Sequence, residues 1–461
     1  MDLIEQLNHI FYPNSVAVVG ASSSPGKLGH IVVANLVEAG FKGRMYPINP
    51  SGTELLGLKT YRSLADIPED IDMAIVVVPA RQTVSAVEGC AGRGVKGAII
   101  IAGGFKETGT DIGRDLQDKI TAIANKASMK IVGPNTVGLL NPKVRLNASF
   151  QKSYNLCKTG CVALAAQSGG ICSYTIHAFI NNNIGVSKAT GMGNRCNLDF
   201  DEILTYFGQD EQTRVITLYV EGLDNPQRFL DVAKQVVKYK PIIAYKGARS
   251  EGVSRSTLSH TGTLAGNYEF YKAAFAQAGI ITVTSITDMI DIAKALSLQT
   301  PSTGNRIAIF NPQAGPGIIT ADKCHELGLR LAKFSPAAEQ KLRETGYPPQ
   351  AGDNPLDLAW IGWSADTGQE LIKAMIMDNA VDGIIIVGAA FRTNVKLMKA
   401  LADTAKLFHK PVTISTDSPK NMATTQIEAV EESGFPVYPT PERAAVGMYG
   451  LVKYGEILKS H

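Results

Sequence analysis

The chain has 461 residues, of which 45% are apolar and 19% are charged, a composition typical of folded globular proteins rather than disordered or fibrous ones. At roughly 150 residues per domain, this length predicts two to four folded units. The 45 basic and 42 acidic residues leave a formal charge of only +3, which gives no reason to expect a nucleic acid partner.

The cysteines and the N-terminus indicate the compartment. Six cysteines without a Cys-x-x-Cys pair are too few for a disulfide framework and are typical of reduced thiols. Cys157 and Cys161 lie close together, but no nearby His or Cys completes a metal site. Residues 1–6 lack the regions of a signal peptide, and no apolar run approaches the roughly 18 residues that span a bilayer. We expect a cytoplasmic protein without a membrane segment or a bound metal.

A short apolar strand followed by a glycine-rich turn and a helical pattern occurs three times. The strands are residues 16–19, 162–166 and 307–310, and the turns that follow them are residues 20–26, 167–170 and 311–317. The openings are about 145 residues apart, close to the size of one α/β domain. The spacing predicts domains at residues 1–147, 148–299 and 300–461, with linkers at residues 147–159 and 299–305.

Further apolar runs fit the same architecture. They lie at residues 45–48, 73–78, 98–101, 130–132, 215–220, 242–245, 281–283, 384–387 and 412–415. Apolar strands without polar alternation, separated by amphipathic segments such as residues 31–39, are typical of parallel sheets covered on both faces. The pattern predicts a doubly wound α/β fold throughout the chain.

Gly20, Gly26 and Gly29 bracket the first turn, where backbone N–H groups and a helix dipole favour a phosphate group. Their spacing differs from the Gly-x-Gly-x-x-Gly pattern of nicotinamide enzymes, and the second strand ends at Asn49 without a ribose-binding acid. The turn also differs from a P-loop, because Lys27 is not followed by Ser or Thr. A different phosphorylated ligand is favoured, although glycines that only permit tight packing remain an alternative.

A long segment, residues 247–266, has little apolar periodicity and carries His260 among small hydroxyl residues and glycines. Segments of about 20 residues without secondary structure are uncommon in compact domains unless they are functional. A neutral imidazole is a competent nucleophile near neutral pH and could carry a phosphoryl group. The alternative is a solvated histidine without a function.

Two other positions fit such chemistry. Ser168, Gly169 and Gly170 begin a helix directly after a strand, and their N–H groups could hold a phosphate, unless the turn serves packing alone. Glu221 follows strand 215–220 at its carboxyl end, where open α/β sheets gather ligand-binding groups. It could orient an imidazole and stabilise its positive charge, or it could be a helix-capping or surface glutamate.

An ordered set of motifs extends over nearly the whole chain. The motifs occupy residues 11–22, 46–50, 133–135, 167–170, 193–194, 219–222, 259–266 and 354–358. This set resembles the α subunits of the NDP-forming acyl-CoA synthetases, also called ADP-forming acetyl-CoA synthetases, which are relatives of succinyl-CoA synthetase. The resemblance implies a Rossmann-like CoA-binding domain followed by two flavodoxin-like domains.

The resemblance also implies roles for individual residues. It implies phosphorylation of His260, with support from Glu221, and phosphate binding by Gln167, Ser168, Gly169 and Gly170. The implied CoA-binding residues are Gly20, Ala21, Ser22, Ser23, Pro25, Gly26, Lys27, Pro50, Pro79 and Asn135. Thr136 stands where the family usually has cysteine, which we expect to adjust the pocket around the CoA thiol, and residues 311–317 also depart from the family pattern.

The reaction implied by the resemblance is acyl-CoA + ADP + phosphate ⇌ carboxylate + ATP + CoA, through an acyl phosphate and a phosphohistidine. A separate ATP-grasp β subunit is expected to bind the nucleotide and Mg²⁺ and to supply a second phosphate-holding helix, in an α2β2 assembly. Two alternatives remain at this point. One is a non-catalytic CoA or acyl-CoA sensor, which would need neither His260 nor Glu221. The other is an NAD-dependent dehydrogenase, which the glycine spacing disfavours.

Overall fold

The structure is a computed structural model that describes residues 2–52, 54–249, 268–311, 313–347, 354–357, 365–388 and 395–460. The chain forms two compact units, Met1–Thr282 and Val283–His461. The first unit is built on two sheets and the second on one. The α/β architecture predicted from the apolar runs is confirmed.

The first sheet has five parallel strands in the order β2-β1-β3-β4-β5. The strands are β1 (Ser15–Val19), β2 (Arg44–Ile48), β3 (Met73–Val76), β4 (Gly97–Ile100) and β5 (Lys130–Val132). Four helices belong to this part of the chain, namely α1 (Leu3–Phe11), α2 (Leu28–Ala39), α3 (Ala80–Gly92) and α4 (Asp111–Lys126). Ala17, Ala74, Ala98 and Ile131 from adjacent strands are fully buried in one apolar core cluster, as expected for a sheet covered by helices.

The turn from β1 into α2 requires glycine at two positions. Gly20 has φ +94°, a backbone conformation that residues with a Cβ atom rarely adopt. A Cβ atom on Gly29 would lie 2.0 Å from the carbonyl oxygen of Gly20. These glycines allow the start of α2 to pack directly against the end of β1.

The second sheet has seven strands in the order β12-β11-β10-β8-β9-β6-β7. The strands are β6 (Gly138–Asn141), β7 (Leu146–Ser149), β8 (Thr159–Ala166), β9 (Val186–Gly191), β10 (Val215–Val220), β11 (Ile242–Lys246) and β12 (Ile281–Val283). Its helices are α5 (Gly169–Asn181), α6 (Phe200–Gln209), α7 (Pro226–Val236) and α8 (Tyr268–Gln277). β6 pairs antiparallel with β7 and β9, so this sheet is mixed rather than wholly parallel.

The predicted linker at residues 147–159 is wrong. Its first part lies in β7, a one-turn 3₁₀ helix follows at Lys152–Leu156, and β8 begins at Thr159. Two of its polar side chains, Asn147 and Ser149, are buried and hydrogen-bonded. The Ser149 hydroxyl donates to Asn147 Oδ1 at 2.6 Å, and Asn147 Nδ2 donates to the Gln151 carbonyl at 3.0 Å. Buried polar groups that are fully paired in this way cost little stability.

The second unit contains a six-stranded sheet in the order β14-β13-β16-β17-β18, with β15 paired to β13. The strands are β13 (Arg306–Asn311), β14 (Arg330–Leu331), β15 (Leu356–Asp357), β16 (Gly383–Val387), β17 (Val412–Ser415) and β18 (Val437–Tyr438). The helices are α9 (Ile286–Leu298), α10 (Ala314–Glu326), α11 (Pro336–Glu344), α12 (Ala365–Met377), α13 (Val395–Leu407), α14 (Lys420–Glu432) and α15 (Pro441–Ser460).

Helix α9 packs against α15, and an ion pair of 2.6 Å joins Asp291 to Arg443. This helix precedes residue 300, where the sequence places the start of the third domain, yet it belongs to the second compact unit. The domain boundaries at residues 147/148 and 299/300 therefore stay predictions.

The Gly29→Ala variant tests the close approach of β1 and α2. We expect it to lower the free energy of unfolding by about 1–3 kcal/mol, because the added methyl group overlaps a backbone oxygen that cannot rotate away. Gly92→Ala is the matched control, since a Cβ atom at that helical position meets nothing within 4 Å. Thermal and urea unfolding of both variants measure the difference, and equal midpoints would contradict the packing described here.

Candidate active site

Four predicted ligand-binding positions lie at the carboxyl edge of the first sheet. Gly20 follows β1, Pro50 follows β2, Pro79 follows β3 and Asn135 follows β5. Because all five strands are parallel, these turns leave the sheet at the same edge. The strand order places the first three turns side by side, while β4 separates β3 from β5.

The glycine-rich turn itself is held by backbone hydrogen bonds. The N–H groups of Gly20 and Ala21 both donate to the Ile48 carbonyl, at 3.2 and 3.1 Å. Asn49 Nδ2 donates to the Ala21 carbonyl at 2.7 Å. The backbone N–H groups of Gly20 and Ala21 are therefore used within the turn. A ligand would contact residues 23–28 instead, which are exposed. Helix α2 begins after Lys27 without a side-chain cap, which leaves its positive dipole end facing solvent.

The start of α5 lies at the carboxyl edge of the second sheet. Ser168 caps the helix, and its Oγ accepts a hydrogen bond from the Ile171 N–H at 3.4 Å. Gly169 and Gly170 form the first turn, so no side chain covers the backbone N–H groups there. This arrangement is typical of phosphate-binding helix N-termini.

Gln167 connects this helix start to Glu221. Its Oε1 accepts hydrogen bonds from the N–H groups of Glu221 and Gly222, at 3.0 and 3.1 Å. Its own N–H donates to the Tyr219 carbonyl at 3.0 Å. The Gln167 side chain is only 4% exposed, so these bonds form in a protected environment. The end of β8 and the end of β10 are thus fixed to each other.

Glu221 is surrounded by aromatic and cationic side chains. The Tyr219 hydroxyl is hydrogen-bonded to it, and burial together with the Glu221 carboxylate raises the pKa of Tyr219. The Tyr219 ring stacks on Tyr245 with 5.5 Å between ring centroids. Burial lowers the pKa of Lys246, at the end of β11, to about 8, and the Glu221 carboxylate opposes that fall.

A cavity of about 640 Å³ brings residues of both sheets together. Asn135 lines it from the first sheet, while residues 167–170 and Glu221 line it from the second. Ile101, Val137 and Phe150 add apolar walls. Sequence reasoning assigned Asn135 and residues 167–170 to different ligands, and the structure places them around one space. The other predicted CoA positions, at residues 20–27, Pro50 and Pro79, do not line this cavity.

Several lining residues were not predicted as site residues. Phe150 and Gln151 lie in the segment that the sequence suggested as a linker. Asn194 belongs to one of the sequence motifs, but the sequence predicts no role for it. Its Oδ1 accepts from Asn135 Nδ2 at 3.4 Å, and its Nδ2 donates to Glu107 Oε2 at 2.5 Å. The motif at residues 193–194 was the signal that could have found it.

Thr136, which stands at the cysteine position of the family pattern, is engaged with the backbone. Its Oγ1 donates to the Gly191 carbonyl at 2.6 Å and accepts from the Gly138 N–H at 3.0 Å. It is buried and lines the cavity. The hydroxyl therefore fixes the path from β5 to β6, and its effect on a thiol stays a prediction.

His260 lies outside the described residues, as does the rest of the segment 250–267. The structure places the two ends of that segment through Arg249 and Tyr268. The Arg249 guanidinium lies 5.2 Å from the Tyr245 ring and 5.9 Å from the Tyr268 ring. Arg249 therefore lies beside the aromatic pair of Tyr219 and Tyr245.

The family matches agree with this geometry. Residues 14–142 match the CoA binding domain family, and residues 159–296 match the family described as the succinyl-CoA ligase like flavodoxin domain. The fold and the site therefore define a CoA-binding α/β ligase of the succinyl-CoA ligase type.

Comparison with full-length proteins identifies the family within this class. The chain is 36% identical over 453 residues to the α subunit of acetate–CoA ligase [ADP-forming] II from Pyrococcus furiosus, covering 97% of both chains. It is 39% identical to the acetate–CoA ligase [ADP-forming] of Methanocaldococcus jannaschii over 354 residues, which are 77% of this chain and 49% of that longer protein. The solved structure of Ca. Korarchaeum cryptofilum dinucleotide forming acetyl-coenzyme A synthetase 1 in complex with phosphate and ADP superimposes with a TM-score of 0.88 at 33% identity, covering 98% of both chains.

The chain belongs to the family of ADP-forming acetate–CoA ligase α subunits. It is a ligase, the α subunit of an ADP-forming acyl-CoA synthetase, and residues 14–142 form its CoA binding domain. The family assignment made from the motifs is confirmed. No helix in the described part of the chain is long and apolar enough to span a bilayer.

The Gln167→Met variant tests how Glu221 is held. Methionine keeps the length of the side chain but removes the acceptor for two N–H groups, each worth about 1–3 kcal/mol if left unpaired in a protected site. We expect kcat to fall roughly tenfold or more, with little change in KM for acetyl-CoA, because the predicted CoA positions belong mainly to the first sheet. Gln167→Glu retains the acceptor and serves as the control. Steady-state kinetics with acetyl-CoA measure both variants, and a change confined to KM would contradict this role.

Proposed function

We propose that the cavity between the two sheets is where acyl-CoA, phosphate and a histidine meet. The observation that carries this proposal is the shared lining, which brings Asn135 from the CoA-binding domain to within the same space as the α5 N-terminus and Glu221. A thioester carbonyl and a phosphate must be adjacent for acyl transfer. A cavity reached from both sheets supplies that adjacency.

CoA would enter along the carboxyl edge of the first sheet. The exposed turn at residues 23–27, with Lys27 at the uncapped start of α2, supports binding of its phosphate groups. Pro50 and Pro79 flank this turn, and Asn135 extends the edge toward the cavity. The thiol end of CoA would then lie near Asn135, while its phosphates remain at the surface.

Phosphate would bind at the start of α5. The N–H groups of Gly169 and Gly170 and the hydroxyl of Ser168 are the donors, and the positive end of the helix dipole favours the negative charge. A phosphate oxygen attacks the thioester carbonyl carbon, the carbon–sulfur bond breaks, and CoA leaves as the thiol. The product of this step is an acyl phosphate. Gln167 contributes by holding the helix start and the Glu221 turn together.

His260 would then take the phosphoryl group. An imidazole nitrogen attacks phosphorus, the bond to the carboxylate oxygen breaks, and the free carboxylate leaves. The imidazole becomes positively charged during the attack, and the Glu221 carboxylate in the cavity stabilises that charge and fixes the tautomer. The phosphohistidine finally donates its phosphoryl group to ADP, which regenerates the imidazole and forms ATP.

A partner subunit completes the enzyme. The P. furiosus relatives are named as α subunits, and the M. jannaschii relative is about twice as long as the region that matches this chain. We assign ADP and Mg²⁺ to a separate ATP-grasp β subunit in an α2β2 assembly, located in the cytoplasm. Among the residues that the structure describes, no cluster of His, Cys, Asp or Glu side chains is arranged to hold a metal ion. The names of these P. furiosus and M. jannaschii relatives give acetate as substrate, so acetate is the first acyl group to test.

Phosphorylation of His260 is directly testable. The chain with its β subunit, Mg²⁺ and γ-labelled ATP, or with acetyl-CoA and labelled phosphate, should acquire label that is labile in acid and stable in alkali. His260→Ala should abolish this label, and Glu221→Gln should slow its appearance by ~10²-fold or more, because the shape is kept while the charge is lost.

His325→Ala, at an exposed position on α10, is the matched control and should label like the wild type. Full labelling of His260→Ala would show that the nucleophile is another residue. A chain that binds CoA but is never labelled under either condition would instead support the non-catalytic CoA sensor.

A further inference from the structure

Lys246 is a fully buried lysine beside the candidate active site. It is the last residue of β11, and 0% of its surface is exposed. Removing an ammonium group from water is costly unless other groups replace its hydration. A buried cation at the carboxyl end of a strand, where this fold gathers its functional groups, therefore needs a physical reason.

Two contacts compensate the burial of Lys246. Its Nζ donates a hydrogen bond to the Gly247 carbonyl at 2.6 Å. The same nitrogen lies 4.8 Å from the centroid of the Tyr271 ring, a distance at which a cation is attracted to the face of an aromatic ring. Neither partner carries a net charge, so both contacts leave the positive charge of Lys246 in place.

Strand pairing places this charge next to Glu221. In the parallel pair of β10 and β11, Lys246 lies opposite Val220, and Glu221 is the next residue. Gly247, the residue after Lys246, lies beside the same side chain, since a Cβ atom at Gly247 would lie 3.3 Å from the Glu221 Cγ methylene. The carboxylate stabilises the charged form of the lysine, and by reciprocity the lysine stabilises the carboxylate.

Tyr271 connects the two strand ends from the other side. Its ring contacts Lys246, and its hydroxyl is hydrogen-bonded to the backbone of Leu223, two residues after Glu221. Tyr271 on α8 therefore contacts both Lys246 and the turn that carries Glu221. Burial raises the pKa of Tyr271, so it stays an uncharged ring near neutral pH.

We propose that Lys246, held by Tyr271, is a positioning residue for Glu221, which keeps the carboxylate ionised and fixes its turn beside the cavity. This inference rests on the proposed function, in which the Glu221 carboxylate stabilises the imidazole of His260. A carboxylate that became protonated could not stabilise a positive imidazole. A nearby cation prevents that protonation as the pH falls.

Among the residues that the structure describes, the charged and titratable groups near Lys246 belong to the turn after β10, to β11 and the residues that follow it, and to α8. Glu221, directly after β10, acts electrostatically on Lys246, Tyr245 precedes Lys246 on β11 and stacks on Tyr219, and the Tyr271 ring on α8 contacts the Lys246 ammonium. Arg249 lies beyond the strand over Tyr245, in an exposed position where solvent and salt screen its charge. Burial brings the pKa of Lys246 to about 8, so the ammonium form predominates at acidic and neutral pH.

The test is the pH dependence of His260 labelling in the complete enzyme. Wild type, Lys246→Met and Lys246→Arg are compared with the β subunit, acetyl-CoA and labelled phosphate, at pH values from 5.5 to 8 (about 0.5 apart) in rapid-quench experiments. An opposite charge commonly lowers a carboxyl pKa by about 1–3 units. We therefore expect Lys246→Met to be within about threefold of wild type at the alkaline end and ~10-fold slower or more at the acidic end. Lys246→Arg keeps the charge and should follow wild type across the range.

Protonation of His260 lowers the labelling rate in both proteins. Its effect therefore cancels in the ratio of the variant rate to the wild-type rate. A Lys246→Met rate lowered by the same factor at every pH would show a purely structural role and overturn the inference, as would an unchanged rate. If thermal unfolding shows that Lys246→Met does not fold, Tyr271→Leu replaces it and Tyr271→Phe, which keeps the ring, is the control. Loss of the proposed function would appear differently, as wild-type enzyme without label or as label that persists in His260→Ala.

Discussion

The position of Glu221 depends on one side-chain carbonyl. Gln167 Oε1 accepts two backbone N–H groups at the end of β10, and the Gln167 N–H donates to the same strand. Gln167 also directly precedes Ser168, the cap of α5. The carboxylate and the helix N-terminus are therefore held by the same residue and move together. Groups that are fixed in this way before substrate binds need no reorganisation during the reaction, which is the main source of electrostatic catalysis.

The cavity has walls from two sheets because the chain changes sheets after β5. The segment after β5 is fixed by hydrogen bonds from the Asn194 N–H to the Pro134 carbonyl at 2.9 Å and from the Cys196 N–H to the Gly133 carbonyl at 3.0 Å. A Cβ atom on Gly193 would lie 2.2 Å from the Pro134 oxygen, so only glycine permits this approach. β6 then continues the chain beside β9. Asn135 is consequently attached to the first sheet and still faces groups that belong to the second.

In the second sheet, β8, β10, β11 and β12 could be predicted from the sequence, whereas β6, β7 and β9 could not. β10 and β12 begin and end where the apolar runs do, because strands covered on both faces must be apolar. β6, β7 and β9 were missed because each buries polar side chains. Lys188 in β9 is 0% exposed and pairs with Asp210 at 2.6 Å. Such pairings join residues distant in sequence, so local patterns do not show them. Glu221 and residues 167–170 could be predicted because they directly follow apolar strands, while Phe150 and Asn194 became visible as part of the site only in the folded chain.

The second sheet contains two fully buried lysines, Lys188 and Lys246, whose charges have different neighbours. Lys188 is in contact with the Asp210 carboxylate, and burial of the pair lowers the pKa of the lysine while the ammonium lowers that of the acid. The two charges cancel at contact distance, and little field remains outside the pair. Lys246 instead donates to a carbonyl and faces an aromatic ring. Its charge is left to act on the next carboxylate, Glu221, which lines the cavity. Both lysines are buried, so burial alone does not distinguish them. They differ in the charge of the group that each one contacts.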